Sequence, residues 1–170
     1  MIFFCCADDP TFSIEEASAQ AFGFFVAGFE TSSTAMMFCL FELALNHDIQ
    51  NKLREEIDRV MSKHNGKITY DGLQEMEYLD RVVAETLRKY PPATVLVREC
   101  TKHFYMPEIN AIIEKGTRIL IPLLGLHHDP EYYPNPEKFD PERFTPEMKE
   151  IRDPMCYIPF GDGPRICIGE

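Results

Sequence analysis

At 170 residues the chain has room for one domain and too little length for two ordinary ones. Its 45% hydrophobic and 12% aromatic content argue against a disordered chain and call for a core. A formal net charge of -11, with no cluster of Lys and Arg, argues against a nucleic-acid partner, whose phosphates need cations to neutralise them.

The opening MIFFCCADDP lacks the basic region and long apolar region of a secretory leader. No continuous run approaches the ~20 apolar residues of a membrane span; the longest, Ala21–Phe29, meets Glu30. Ser13 and Glu16 form a capping box ahead of an apolar stretch, which predicts a helix from about Ile14 to Leu45. Its middle is apolar on nearly every side, so it is expected to be buried all round. Within it lies AGFETSST, Ala27 to Thr34, a patch of glycine and hydroxyl residues.

A second helix starts at Asn46 or Asp48, carries Ile49, Leu53, Ile57, Val60 and Met61 at helical spacing, and ends at His64–Gly66. A third covers about Glu75–Tyr90, with Leu79, Val82, Val83, Leu87 and Tyr90 as its apolar face, and stops at Pro91 and Pro92. TVLVREC (94–100) and TRILIPLL (117–124) read as short strands. Prolines at 130, 134, 136, 141 and 146 exclude regular structure between Asp129 and Pro146, leaving a long ordered loop or a linker. The fold class is mainly α, of the α+β type, with a small β-sheet.

In the closing stretch Gly161, Gly163 and Gly169 surround Cys167, with Pro164 and Arg165 between. Glycine permits positive φ and close approach of backbone to a ligand. Backbone N–H groups there can point at the sulfur and, with a nearby Arg, favour the thiolate that a metal-bound cysteine requires. A buried structural thiol and a nucleophilic cysteine stay open on these residues alone, although no histidine is placed by sequence to serve as a base. The other cysteines, at 5, 6, 39, 100 and 156, form no Cys-x-x-Cys pair and read as free thiols of a reducing compartment. Glu85 and Arg88 share a helix face opposite the apolar stripe; periodicity alone makes them an exposed pair worth ~0.2–0.5 kcal/mol. His127, His128 and the Cys100–His103 spacing complete no metal site and read as structural.

FGDGPRICIG, Phe160 to Gly169, resembles the haem-binding signature of the cytochrome P-450 superfamily. Three further motifs follow the family's order: AGFET (Ala27–Thr31) resembles its oxygen-activation motif, ETLR (Glu85–Arg88) its Glu-x-x-Arg pair, and PERF (Pro141–Phe144) its meander motif. Together they are specific, and the resemblance covers essentially the whole chain. AGFETSST and GLHHDP are similar to insect microsomal members that process foreign compounds, with His128 a mild departure from the family's His-Arg.

The resemblance implies a partial P-450 domain, truncated at both ends, with haem b as cofactor. Cys167 would be the axial thiolate on the iron, whose donation favours O–O cleavage. Arg165 and Arg98 would pair with the propionates through their bidentate forks. Phe160 would pack near the thiolate, and Gly161 would belong to the cofactor loop. Gly28 would leave room for the macrocycle. Thr31 would bond a carbonyl one turn back and open the helix ladder, and with Glu30 would deliver protons. Glu85, Arg88 and Arg143 would form a buried network, costly to break. Phe22, Phe25, Val95 and Leu96 would line the substrate pocket or else be ordinary core. The implied reaction places one atom of O2 in an apolar small-molecule substrate, with NADPH electrons relayed by a flavin reductase and cytochrome b5 as a further donor. The implied location is the cytoplasmic face of the endoplasmic reticulum membrane, through an N-terminal anchor outside this chain. Two alternatives accompany this reading: a haem-thiolate isomerase or lyase, against which the Thr31 hydroxyl argues, and a non-catalytic fragment unable to hold haem.

Overall fold

The computed structural model describes residues 13–169; Cys5, Cys6 and the reading of the first ten residues lie outside them. Helix α1 (Ile14–Leu45) begins where the capping box predicts. Glu16 N–H donates to Ser13 Oγ at 3.2 Å, and Ser13 N–H to the Glu16 carboxylate at 2.8 Å. Helix α2 (His47–Lys63) closes at Asn65 and Gly66, both in the left-handed region (φ 54° and 73°). Asn46 precedes it but its side chain caps no α2 N–H; it turns back to Glu42. A short α3 (Tyr70–Gln74), absent from the sequence reading, is capped by Thr69, whose hydroxyl accepts Gly72 N–H at 3.0 Å.

Helix α4 (Glu77–Lys89) has no side-chain cap of its own. Its first free N–H groups, on Tyr78 and Leu79, donate instead to the Glu56 carboxylate of α2, both at 2.9 Å. A carboxylate there satisfies orphan donors and suits the positive end of the helix dipole. Leu43, Leu53, Tyr78, Val82 and Phe139 form the core where α1, α2 and α4 meet, with Cys39, Ile49, Ile57 and Leu79 packed against it. Val83, expected on this face, is exposed.

The two predicted strands are present as β1 (Leu96–Glu99) and β4 (Arg118–Ile121), antiparallel with Leu96 opposite Ile121. Between them a second antiparallel pair, β2 (Phe104–Met106) and β3 (Ala111–Ile113), turns at Asn110 (φ 49°). Helix α5 (Leu123–His127) leads into the proline-rich stretch. That stretch is not wholly irregular: Pro141–Phe144 is a 3-10 turn and α6 (Pro146–Ile151) begins at a proline. Proline is tolerated in a first helical turn, where its missing N–H is unneeded.

The burial expected of α1 is corrected. Residues 13–32 are exposed throughout, and only Glu42 and Leu43 are buried. Phe22 and Phe25 are each 67% exposed, because no other described residue covers this part of the helix. The expectation about span length is corrected too. Helix α1 has the length and composition to cross a membrane, with a mean hydropathy of 1.4 over its best window. Counting unbroken apolar runs missed this, since Gly, Ser and Thr interrupt a run without adding charge.

Candidate functional site

Glu85 and Arg88 are fully buried on α4. Arg88 Nε and Nη2 donate to the two Glu85 oxygens at 2.7 and 3.0 Å. Arg88 Nη1 donates to the His127 carbonyl (2.8 Å) and Nη2 to that of Pro136 (2.7 Å). Asp140 N–H donates to Glu85 Oε1 at 2.8 Å. Arg143 Nε lies 3.6 Å from the same oxygen, while its Nη2 donates to the carbonyls of Pro134 and Asn135 at 2.7 and 3.0 Å. The exposed pair that periodicity suggests is therefore wrong, and the buried network implied by the resemblance is present. Helical spacing cannot see residues 127–143, which cover the face opposite the apolar stripe.

The same cover is held by aromatics. The Tyr133 ring lies between the guanidinium groups of Arg88 (5.2 Å) and Arg152 (4.7 Å), close enough for cation–π attraction. Its hydroxyl donates to the Cys156 carbonyl at 2.9 Å. Burial pushes the phenol up to about 12. His127 is fully buried and stacks on Tyr157, with ring centres 5.4 Å apart. Burial first, and then the Arg88 charge, bring its pKa down to about 4, so the ring is neutral near pH 7. His128 Nε2 donates to the Lys89 carbonyl at 2.9 Å. The Cys100 thiol donates to the Lys102 carbonyl at 2.9 Å. Among the described residues no three His, Cys, Asp or Glu side chains gather into a metal site.

Downstream of this node the chain enters the glycine loop. Gly161 N–H donates to the Ile158 carbonyl (2.9 Å), and Cys167 N–H to that of Phe160 (2.9 Å). Gly161 (φ 77°) and Gly163 (φ 75°) occupy the left-handed region that favours glycine. Gly161 also sits against β1: a Cβ there would lie 3.7 Å from the Arg98 guanidinium and 3.8 Å from Leu96. Cys167 is exposed, and its sulfur accepts one backbone N–H, from Gly169 at 3.4 Å. Arg98 and Arg165 have no carboxylate within ion-pair distance among the described residues. Phe160 is half-buried and, with Tyr157 and the Val83–Leu87 side of α4, lines a cleft of about 390 Å³.

The loop thus gathers Arg98, Phe160, Gly161, Arg165 and Cys167. The α1 residues stand apart: among the described residues no hydrogen bond or ion pair joins Gly28, Glu30 or Thr31 to the loop. Thr31 Oγ1 donates to the Ala27 carbonyl at 2.6 Å, one turn back. Helix α1 is nevertheless continuous through this point, so the opened ladder is not formed. Glu30 is exposed, and a Cβ at Gly28 would meet nothing within 4 Å. Phe22, Phe25 and Val95 are exposed rather than core, and Leu96 is half-buried beside Gly161.

A family model described as Cytochrome P450 matches residues 4–170. The chain belongs to the cytochrome P450 family. Similar relatives include Probable cytochrome P450 6a13 of Drosophila melanogaster, 58% identical over 158 residues (93% of this chain, 32% of the relative). Cytochrome P450 6l1 of Blattella germanica is 53% identical over 157 residues (92% and 31%). Cytochrome P450 9e2 of the same species is 49% identical over 165 residues (96% and 31%). The chain spans about a third of the length of these relatives.

Haem, the cofactor of this family, would need from the protein a donor to its iron and cations for its propionates. The residues present fit it. The exposed Cys167 sulfur would supply one donor, and Arg98 and Arg165 are cations without carboxylate partners among the described residues. Sequence reasoning missed a second buried carboxylate. Glu42, near the end of α1, accepts from Lys89 Nζ (2.8 Å), the Tyr90 hydroxyl (2.5 Å) and Asn46 Nδ2 (3.0 Å). Its only signal was an acid in an apolar final turn at no capping position.

Proposed function

We propose that this chain forms the thiolate-loop portion of a haem-thiolate monooxygenase acting on apolar small molecules. The observation that carries the reading is the Cys167 sulfur, exposed in a loop fixed by Gly161 and Gly163 and holding the Gly169 N–H. A backbone donor aimed at the sulfur orients it, as partners of a metal-bound side chain do. Haem, when bound, supplies the activation of dioxygen with electrons from NADPH through a flavin reductase, cytochrome b5 serving as a further donor. Arg98 and Arg165 then hold the propionates, which match a guanidinium fork. Phe160, whose carbonyl accepts the Cys167 N–H, would pack near the sulfur and limit its contact with water once the cofactor is in place. The Thr31 proton rests on the Ala27 carbonyl, so its oxygen is left as an acceptor. With the neighbouring Glu30 carboxylate it would deliver protons to the reacting oxygen. The Thr31 hydroxyl favours oxygen chemistry over an isomerase or lyase role. The enzyme resides at the cytoplasmic face of the endoplasmic reticulum membrane, as an insect microsomal type.

The test is isotopic. The haem-loaded protein, with reductase and NADPH under oxygen-18 gas, is expected to give a hydroxylated product carrying one labelled atom. Thr31→Ala is expected to lower product formed per NADPH consumed. Product labelled from water instead, or formed without NADPH, contradicts the reading.

A further inference from the structure

An unbroken chain of hydrogen bonds runs from the buried ion pair to the cysteine loop, and a side chain carries one link. Arg88, locked on Glu85, donates to the His127 carbonyl at 2.8 Å. The His127 ring lies 3.3 Å from Ile158 N through Nε2. Because a backbone N–H can only donate, Nε2 is the acceptor. The neutral ring therefore carries its proton on Nδ1, which has no partner among the described residues. From Ile158 the path continues in the backbone: the Ile158 carbonyl accepts Gly161 N–H, and the Phe160 carbonyl accepts Cys167 N–H, each at 2.9 Å. The flanks are clamped by aromatics on the same node. Tyr157 stacks on His127 and donates its hydroxyl to the Ala84 carbonyl of α4 at 3.0 Å. Tyr133, packed on Arg88, donates to the Cys156 carbonyl.

We propose that His127 is a positioning residue for Cys167: its Nε2 lone pair, held by Arg88 on its own carbonyl, fixes Ile158 and so sets the start of the cysteine loop. A buried histidine that merely fills space does so by volume and apolarity, and a leucine serves as well. A histidine that positions Ile158 does so by accepting one hydrogen bond, and a leucine cannot. The two roles therefore rank substitutions in opposite order. Gln carries an acceptor at the end of a side chain long enough to reach the Nε2 position; Leu fills the site without one. The inference rests on Cys167 being the iron ligand.

The experiment uses the haem-loaded protein, reduced under carbon monoxide, and follows the strongly red-shifted absorption band of a thiolate ligand as it decays. Wild type, His127→Gln, His127→Leu and Cys167→Ser are compared. Cys167→Ser is expected to lack the band. His127→Leu is expected to lose it about tenfold faster than wild type, the effect of leaving one part-buried N–H without an acceptor. His127→Gln is expected to stay within about twofold of wild type, because the acceptor is retained. Backbone hydrogen exchange at Ile158, Gly161 and Cys167 is expected to quicken in the Leu variant alone. Leu equal to or better than Gln overturns the inference, as does equal loss of the band in both variants, whether or not they fold. A wild-type protein without the band, or a band that survives Cys167→Ser, overturns the ligand assignment itself, so the two failures are told apart.

Discussion

Residues 13–32 of α1 carry Phe22, Phe24, Phe25 and Phe29 into solvent, whereas Glu85, Arg88 and His127, all polar, are fully buried. The inversion shows what decides burial. Apolar side chains go inside only where other elements are there to cover them, and an exposed apolar patch this large marks a contact surface. Polar side chains go inside where their hydrogens find acceptors. Arg88 meets that condition with both Glu85 oxygens and two carbonyls from residues 127–136. Among the described residues the α4 junction has its cover, and the first turns of α1 do not.

The contrast can be broken most sharply at Arg88. Arg88→Leu leaves the Glu85 carboxylate buried with its main partner gone, and is expected to cost about 3–5 kcal/mol in urea unfolding. A double variant, Glu85→Leu with Arg88→Leu, is expected to recover part of that, since no lone charge is left buried. A loss below 1 kcal/mol in the single variant, roughly the range of an exposed pair, means the node is not closed to water.

Acid probes the same node more gently. His127 has an ordinary value of 6.5 and is held down to about 4 in the fold, first by burial and then by Arg88. Between those values the unfolded chain binds a proton that the folded chain does not. The contribution is complete above pH 6.5 and is lost as pH falls toward 4, a decrease on the order of 3 kcal/mol. Unfolding free energies across that window are expected to fall less steeply for His127→Gln than for wild type. Parallel slopes place the acid sensitivity elsewhere.

At the other pole, Phe25→Ser on the exposed face of α1 is expected to move the stability of this chain by less than about 0.5 kcal/mol, as surface changes do. In a protein of the relatives' length the same change is expected to cost several times more, if that face is covered there. Equal effects in both contexts refute the idea that α1 awaits a cover.

The sequence was most legible where the cause is local. The Ser13–Glu16 box, Asn65–Gly66 and Pro91 mark helix ends through turn chemistry within a few residues. The Cys167 loop was legible because positive φ at Gly161 and Gly163 depends on the glycines themselves. What stayed hidden depends on partners distant in the chain. Glu56 capping α4, Glu42 meeting Lys89 and Tyr90, and Tyr133 between two arginines leave no periodic trace. Glu85 and Arg88 show the difference within one motif: their spacing was legible as a pair, but burial came from residues 127–143. The β2–β3 pair was missed because its strands are only three residues each, too short to show alternation.

The central claim is that Cys167, at the end of a path rooted in the buried ion pair, is a thiolate ligand to haem iron. The direct measurement is the carbon monoxide difference spectrum of the reduced, haem-loaded protein beside its Cys167→Ser variant. The account predicts the strongly red-shifted band in the first and its absence in the second, with haem content otherwise similar. A spectrum unchanged by Cys167→Ser contradicts it.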